Sequence, residues 1–216
     1  MIAPPTAIAA AALTAIAVAA LLVAQKRESQ FGTWLTKPIA SAGFILAAGF
    51  AAGAWDRFSV TILIALMLSL VGDVFLIPRS DKWFQAGLFA FLSAHLAFIV
   101  SFVLREIDWR GFAVAAVVVA ALAVAIARWL IPKVQSGLRY SVIAYMAVIS
   151  AMVALSVGTF THQRNWLIPI AAIAFFCSDL SVARDSFVAR RFANRAWGLP
   201  LYYAAQLAFA FSLVGG

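Results

Sequence analysis

Long apolar runs and short polar breaks alternate along this chain, and the runs show no helical stripe of polar positions on one face. A run of roughly 20 apolar residues is the length needed to cross a hydrocarbon core of about 30 Å as a helix. Eight such spans are predicted, at 6–24, 36–54, 59–77, 86–104, 111–131, 138–159, 166–187 and 197–214. The breaks read QKRESQFGTW, AWDRF, PRSDKWF, REIDWRG, THQRN and RRFANR, and Pro78 is well placed to end the third span. AWDRF is so short that the second and third spans form a tight antiparallel hairpin. The expected architecture is an all-α, polytopic transmembrane bundle, one integral membrane domain over 1–216.

Composition agrees with the pattern. The 216 residues are 65% hydrophobic and 11% charged, with a mean hydropathy of +1.01, against about 25% charged residues in soluble domains. The net charge of +8 is spread over the breaks and forms no continuous patch, so no nucleic-acid partner is implied. The single cysteine, Cys177, lies inside an apolar run and offers neither a disulfide framework nor a thiolate metal site. Lys26 and Arg27 follow the first apolar run and no basic segment precedes it, which suits a retained helix rather than a cleaved signal.

The basic residues set an orientation. Lys26, Arg27, Lys37, Arg79, Lys82, Arg128, Lys133, Arg139, Arg184, Arg190, Arg191 and Arg195 fall on one side of the eight-span scheme. Only Arg57, Arg105, Arg110 and Arg164 fall on the other. By the positive-inside rule the first group is cytoplasmic, and both termini face away from the cytoplasm.

That orientation gives each polar residue a depth. Asp73, in SLVGDVFLIP, and Asp179, in AFFCSDLSVA, lie late in inward-running spans three and seven. Lys37, Tyr140, Tyr145, Tyr202, Tyr203 and Gln206 lie early in outward-running spans, and His95 is near the middle of span four. Tyr140 suits an interfacial belt, Lys37 could snorkel to headgroups, and Gln206 and His95 could be interhelical hydrogen-bond partners. Gly49 and Gly53 form a GxxxG that could ease packing of span two. Asp185 reads as a solvated group at the membrane exit, and His162 as an outer-loop residue.

The two aspartates resist such readings, because a carboxylate within a bilayer costs a few kcal/mol. Two acids at matching depth suggest a shared polar cavity in which one protonates while the other ionises, a general acid with a general base. A zinc site is poorly supported by two histidines at different depths. No G-x-S-x-G elbow, phosphate-binding loop or Cys–His arrangement is present. Spans three and seven each carry the acid, which suggests a parallel four-plus-four duplication. Buried aspartates also suit a proton-coupled transporter or a non-catalytic lipid-binding protein, and these alternatives stay open here.

TKPIA (36–40), SLVGDVFL (69–76), FQAGLFAFLSAHLAF (84–98), AYMAVISAM (144–152), FFCSDLSVARDSF (175–187) and YYAAQL (202–207) occur in one order along the chain. Together they resemble the YhhN-like lysoplasmalogenase family of eight-span membrane proteins. Phe98, where the family often has tyrosine, and Arg184 depart from the pattern. The resemblance implies hydrolysis of the vinyl ether bond of a lysoplasmalogen, a lysophospholipid, to a fatty aldehyde and glycerophosphoethanolamine or glycerophosphocholine. It requires no metal or organic cofactor. Asp73 and Asp179 are then the catalytic pair, and Lys37 contacts the substrate phosphate. His95, Tyr145, Tyr202, Tyr203 and Gln206 line the site or orient water. Such a protein sits among membrane lipids, with a bacterial inner membrane the expected location.

The orientation is directly testable. With Cys177 replaced, cysteines placed in 78–85 should be labelled by an impermeant thiol reagent only from the cytoplasmic side; labelling from outside reverses the assignment.

Overall fold

The computed structural model describes residues 3–214. It contains eight α-helices: α1 (Pro5–Lys26), α2 (Gln30–Ala51), α3 (Arg57–Phe75), α4 (Asp81–Val103), α5 (Trp109–Leu130), α6 (Arg139–Gln163), α7 (Leu167–Phe187) and α8 (Phe192–Phe211). Two short 3-10 turns lie between α5 and α6, and no strand occurs among the described residues. The side chains of 161–163, His162 included, lie outside the described residues.

Local chemistry sets the helix starts. Ser29, Asp56, Ser80 and Asp108 each accept a hydrogen bond from a backbone N–H in the first turn of the helix that follows. At Asp56, outside the spans, the bond from the Ser59 N–H holds the carboxyl below its ordinary range. Local hydrogen bonds also move two boundaries. With Ser29 as cap, α2 starts at Gln30 rather than 36, so most of QFGTW is helical and Pro38 falls inside the helix. Asp185 Oδ1 accepts the Arg191 N–H at 2.9 Å, and α8 starts at Phe192 rather than 197.

Seven of the helices are long and apolar enough to cross a membrane, which makes this a multi-pass membrane protein. The exception is α8, which carries Asn194, Arg195, two tyrosines and Gln206. Outward-facing side chains such as Ile16, Phe31, Phe89, Val117 and Val118 are apolar and exposed, as a lipid-facing surface requires. Tyr140 is 86% exposed at the start of α6, as a belt residue would be.

The helices pack as α1 on α2, α3 on α4, α5 on α6 and α7 on α8. The same relations recur between halves: α2 meets α3 as α6 meets α7, and α2 meets α8 as α6 meets α4. One exception is α5, which packs on α6 and buries only Leu130, whereas α1 also reaches α8. One apolar core runs through the bundle, with Phe44, Ile62, Leu66, Phe98, Phe175 and Phe209 among its largest members. Phe98 is fully enclosed and stacks on Phe209 at 4.1 Å, so this position is filled by packing rather than by a hydroxyl.

Close approach depends on glycines other than those of the GxxxG. A Cβ on Gly49 would meet nothing, and Gly53 lies beyond the end of α2. A Cβ on Gly198 would instead collide with the Ser181 side chain of α7. Gly198→Val should therefore cost about 1–3 kcal/mol through overpacking, while Gly49→Val stays near wild type. Thermal unfolding in detergent compares the two, and equal midpoints would refute the assignment.

Candidate active site

Asp73 sits on the last turn of α3, where Gly72 lets the ring of Phe91 from α4 come close. Its residue is 2% exposed, so its charge must be met by the protein. Lys37 of α2 places Nζ 3.2 Å from Asp73 Oδ1 and donates to the Asp73 carbonyl oxygen at 2.9 Å. Ser41 Oγ and Tyr202 OH each donate to Oδ2 at 2.7 Å. Lys37 and Ser41 are one turn apart on α2, and Tyr202 comes from α8, so the carboxylate joins three helices. Tyr203 OH stands behind them, 3.2 Å from Ser41 Oγ and 3.3 Å from the Lys37 carbonyl oxygen.

Asp179 occupies the corresponding place in α7. Tyr145 of α6 donates to its Oδ2 at 2.6 Å, and His95 Nε2 of α4 lies 3.6 Å from the same oxygen. The side chain is 18% exposed against 3% for Asp73. Each aspartate thus draws its partners from the second helix of its own half, two for Asp73 and one for Asp179, and takes one more from the last helix of the other half. A nearly constant sequence separation, within two residues, relates Lys37 to Tyr145, Asp73 to Asp179 and His95 to Tyr202.

Both acids line one cavity of about 590 Å³. Lys37, Phe91, Tyr145 and Tyr202 share its wall, and Val142, Met146 and Ile149 give it an apolar flank. At its polar end are Arg79, Asp81 and Arg190, with a network around Arg195. Arg195 Nε donates to Asp185 Oδ2 at 3.0 Å and its terminal nitrogen to Gln25 Oε1 at 2.9 Å, joining α1, α7 and α8. Asp185 is therefore a structural acceptor, not a free solvated charge.

The structure brings the eight sequence-derived residues into one region but divides them. Lys37, Asp73, Tyr145, Asp179 and Tyr202 reach the cavity; His95, Tyr203 and Gln206 lie behind its wall. Lys37 is 6% exposed and turned to Asp73, not snorkelled to the surface. The two carboxylates do not pair with one another; each has its own partners on the wall of the shared cavity. Phe175 lies 5.4 Å from Tyr202 and 4.6 Å from His95, centroid to centroid. Ser41 escaped the sequence reading, although its spacing from Lys37 is a usable signal. The Gln25–Arg195–Asp185 network has no local signal at all. Among the described residues no group of three or more histidine, cysteine and acidic side chains could hold a metal.

The family model described as YhhN family matches residues 32–213. The chain belongs to the YhhN family. It is similar to the lysoplasmalogenase TMEM86A of Bos taurus, 29% identical over 177 residues that cover 79% of this chain and 72% of that protein. It is also similar to the lysoplasmalogenase TMEM86A of Homo sapiens, 29% identical over 190 residues, 85% of this chain and 74% of that one. No solved structure matches it. The matched region of this YhhN protein contains both aspartates and all their partners.

Removing one side of a buried ion pair leaves an uncompensated charge, at a cost of about 3–5 kcal/mol. Lys37→Met should therefore destabilise the fold strongly, and adding Asp73→Asn should recover part of the loss. Denaturation in detergent micelles measures both, and independent, additive losses would show that the pair is not coupled.

Proposed function

We propose that this protein is a lysoplasmalogenase-like hydrolase that cleaves the vinyl ether bond of a lysoplasmalogen with Asp179 as proton donor and Asp73 as base. The observation that carries the reading is the pair of unlike aspartates on the wall of one cavity with an apolar flank and a cationic end. The names of the two relatives supply the substrate class. In this scheme α8 is an eighth span whose polar groups are turned to Asp73, Ser41 and Asp185 rather than to lipid. Both termini lie on the non-cytoplasmic side, and the cavity opens toward the cytoplasmic face.

The difference between the acids assigns their roles. Asp73 faces an ammonium and two hydroxyl donors, an environment suited to a carboxylate. Asp179 has a single hydroxyl donor and greater access to the cavity, which suits a group that gives up a proton. The alkenyl chain lies along Val142, Met146 and Ile149, and the phosphate meets Arg79 and Arg190.

The proton of Asp179 adds to the β-carbon of the vinyl ether, the π pair forming the new C–H bond. The resulting oxocarbenium ion is stabilised by nearby carboxylates, as in glycoside hydrolysis. Water adds to the α-carbon and passes a proton to Asp73. The hemiacetal then collapses: its hydroxyl proton goes to the departing glycerol oxygen, the C–O bond breaks, and a fatty aldehyde is left. One water is consumed, and the two acids end with their protonation exchanged.

Purified protein should release fatty aldehyde from lysoplasmalogen, and Asp73→Asn and Asp179→Asn should each lose about 100-fold or more in rate. Absence of aldehyde from wild type, or full rates in both variants, refutes the reading.

A further inference from the structure

His95 and Gln206 are both fully buried, and their side-chain polar atoms make no hydrogen bond of good geometry; His95 has only a weak approach to the Phe91 backbone and Gln206 to the Tyr202 hydroxyl. Buried polar atoms are satisfied in native proteins, and where no protein group does it, an internal water does. Both residues lie outside the cavity lining, so substrate does not supply the missing partner.

Their positions in the packing explain what they share. On α4, Phe91, His95 and Phe98 lie on one face, and on α8 the same spacing places Tyr202, Gln206 and Phe209 on one face. Phe91 meets Tyr202 with ring centroids 5.8 Å apart, and Phe98 meets Phe209 at 4.1 Å. Both pairs have one and the same sequence separation, and so do His95 and Gln206. The two helices run in the same direction, so His95 and Gln206 lie at one level between two aromatic layers. Phe175 of α7 stands against His95 and Tyr202, and Phe91, Tyr145 and Tyr202, whose rings pack at this level, line the cavity.

The two residues also lead to the two acids. His95 Nε2 lies 3.6 Å from Asp179 Oδ2. Gln206 is one turn above Tyr202, whose OH donates to Asp73 at 2.7 Å. A helical side chain leans toward the N-terminus of its own helix, which turns the Gln206 amide toward Tyr202.

We infer that His95 and Gln206 enclose and orient internal water, and that this water completes a proton path from Asp73 through Tyr202 to Asp179. The inference rests on the hydrolase reading, in which each turnover leaves a proton on Asp73 and removes one from Asp179. Tyr202 takes the proton of Asp73 as its own hydroxyl proton passes to water, each water does the same, and the last protonates Asp179, while the Gln206 amide and the His95 ring keep their protons and orient the water. The net change is one proton from Asp73 to Asp179, with no bond to carbon made or broken. His95 and Gln206 are then positioning residues that touch no substrate.

Such a path acts after chemistry, which separates it from a packing role. Gln206→Met keeps the size of the side chain and removes its polar end. It should release the first equivalent of aldehyde at the wild-type rate in rapid mixing, then turn over about 10-fold more slowly, with a burst of one equivalent per protein. Gln206→Leu, a second apolar replacement of the same residue, provides the same test if Gln206→Met does not fold. Equal slowing of first and later turnovers, or no slowing of either, overturns the relay. The hydrolase reading fails separately, through wild type that releases no aldehyde or aspartate variants that keep full rates.

Discussion

The buried pair between Lys37 and Asp73 is the constraint around which the inner part of this bundle is arranged. A carboxylate within apolar helices is tolerable only when an opposite charge and enough donors surround it. Supplying them fixes the face that α2 turns inward, because Lys37 and Ser41 must both reach Asp73. It also fixes the rotation of α8, because Tyr202 must reach the same oxygen. Removing the charge by evolution to an apolar pair would be cheap in stability, since buried ion pairs contribute little net energy. In the proposed reaction the pair serves something other than fold stability.

The second acid shows what that is. Asp179 has the same address in the second half, yet tyrosine and histidine stand where the first site has lysine and tyrosine. Related frameworks thus present two carboxyls in unlike surroundings to one cavity. Dissimilar acids are what a reaction needing a proton donor and a proton acceptor requires. Each acid is completed by the other half of the chain, so neither half holds a finished site. The loose attachment of α5 departs from the packing relation between the halves, although its Ile126 and Leu130 still reach the cavity.

Much of this was legible in the sequence because lipid imposes a simple rule: an apolar run long enough to cross, then a break. That rule found all eight helices. It misplaced the starts of α2, which the Ser29 cap extends into polar sequence, and of α8, whose first residues are tied to Asp185 through the Arg191 N–H and the Asn194 and Arg195 side chains. It left the direction of Lys37 open between the surface and the site, because the length of the side chain permits either and only the position of Asp73 decides between them. It put the two acids in direct company, because depth is readable from sequence but the rotation of a helix about its axis is not. Phe175, which stands against Tyr202 and His95, read only as an apolar neighbour.

The account makes proton transfer to carbon the step that the two acids serve, and isotope placement tests that most directly. Hydrolysis of lysoplasmalogen by the purified protein in heavy water, with immediate reduction of the aldehyde, should give an alcohol carrying one solvent deuterium on the carbon next to the former carbonyl. Aldehyde formed without solvent deuterium at that carbon would contradict it.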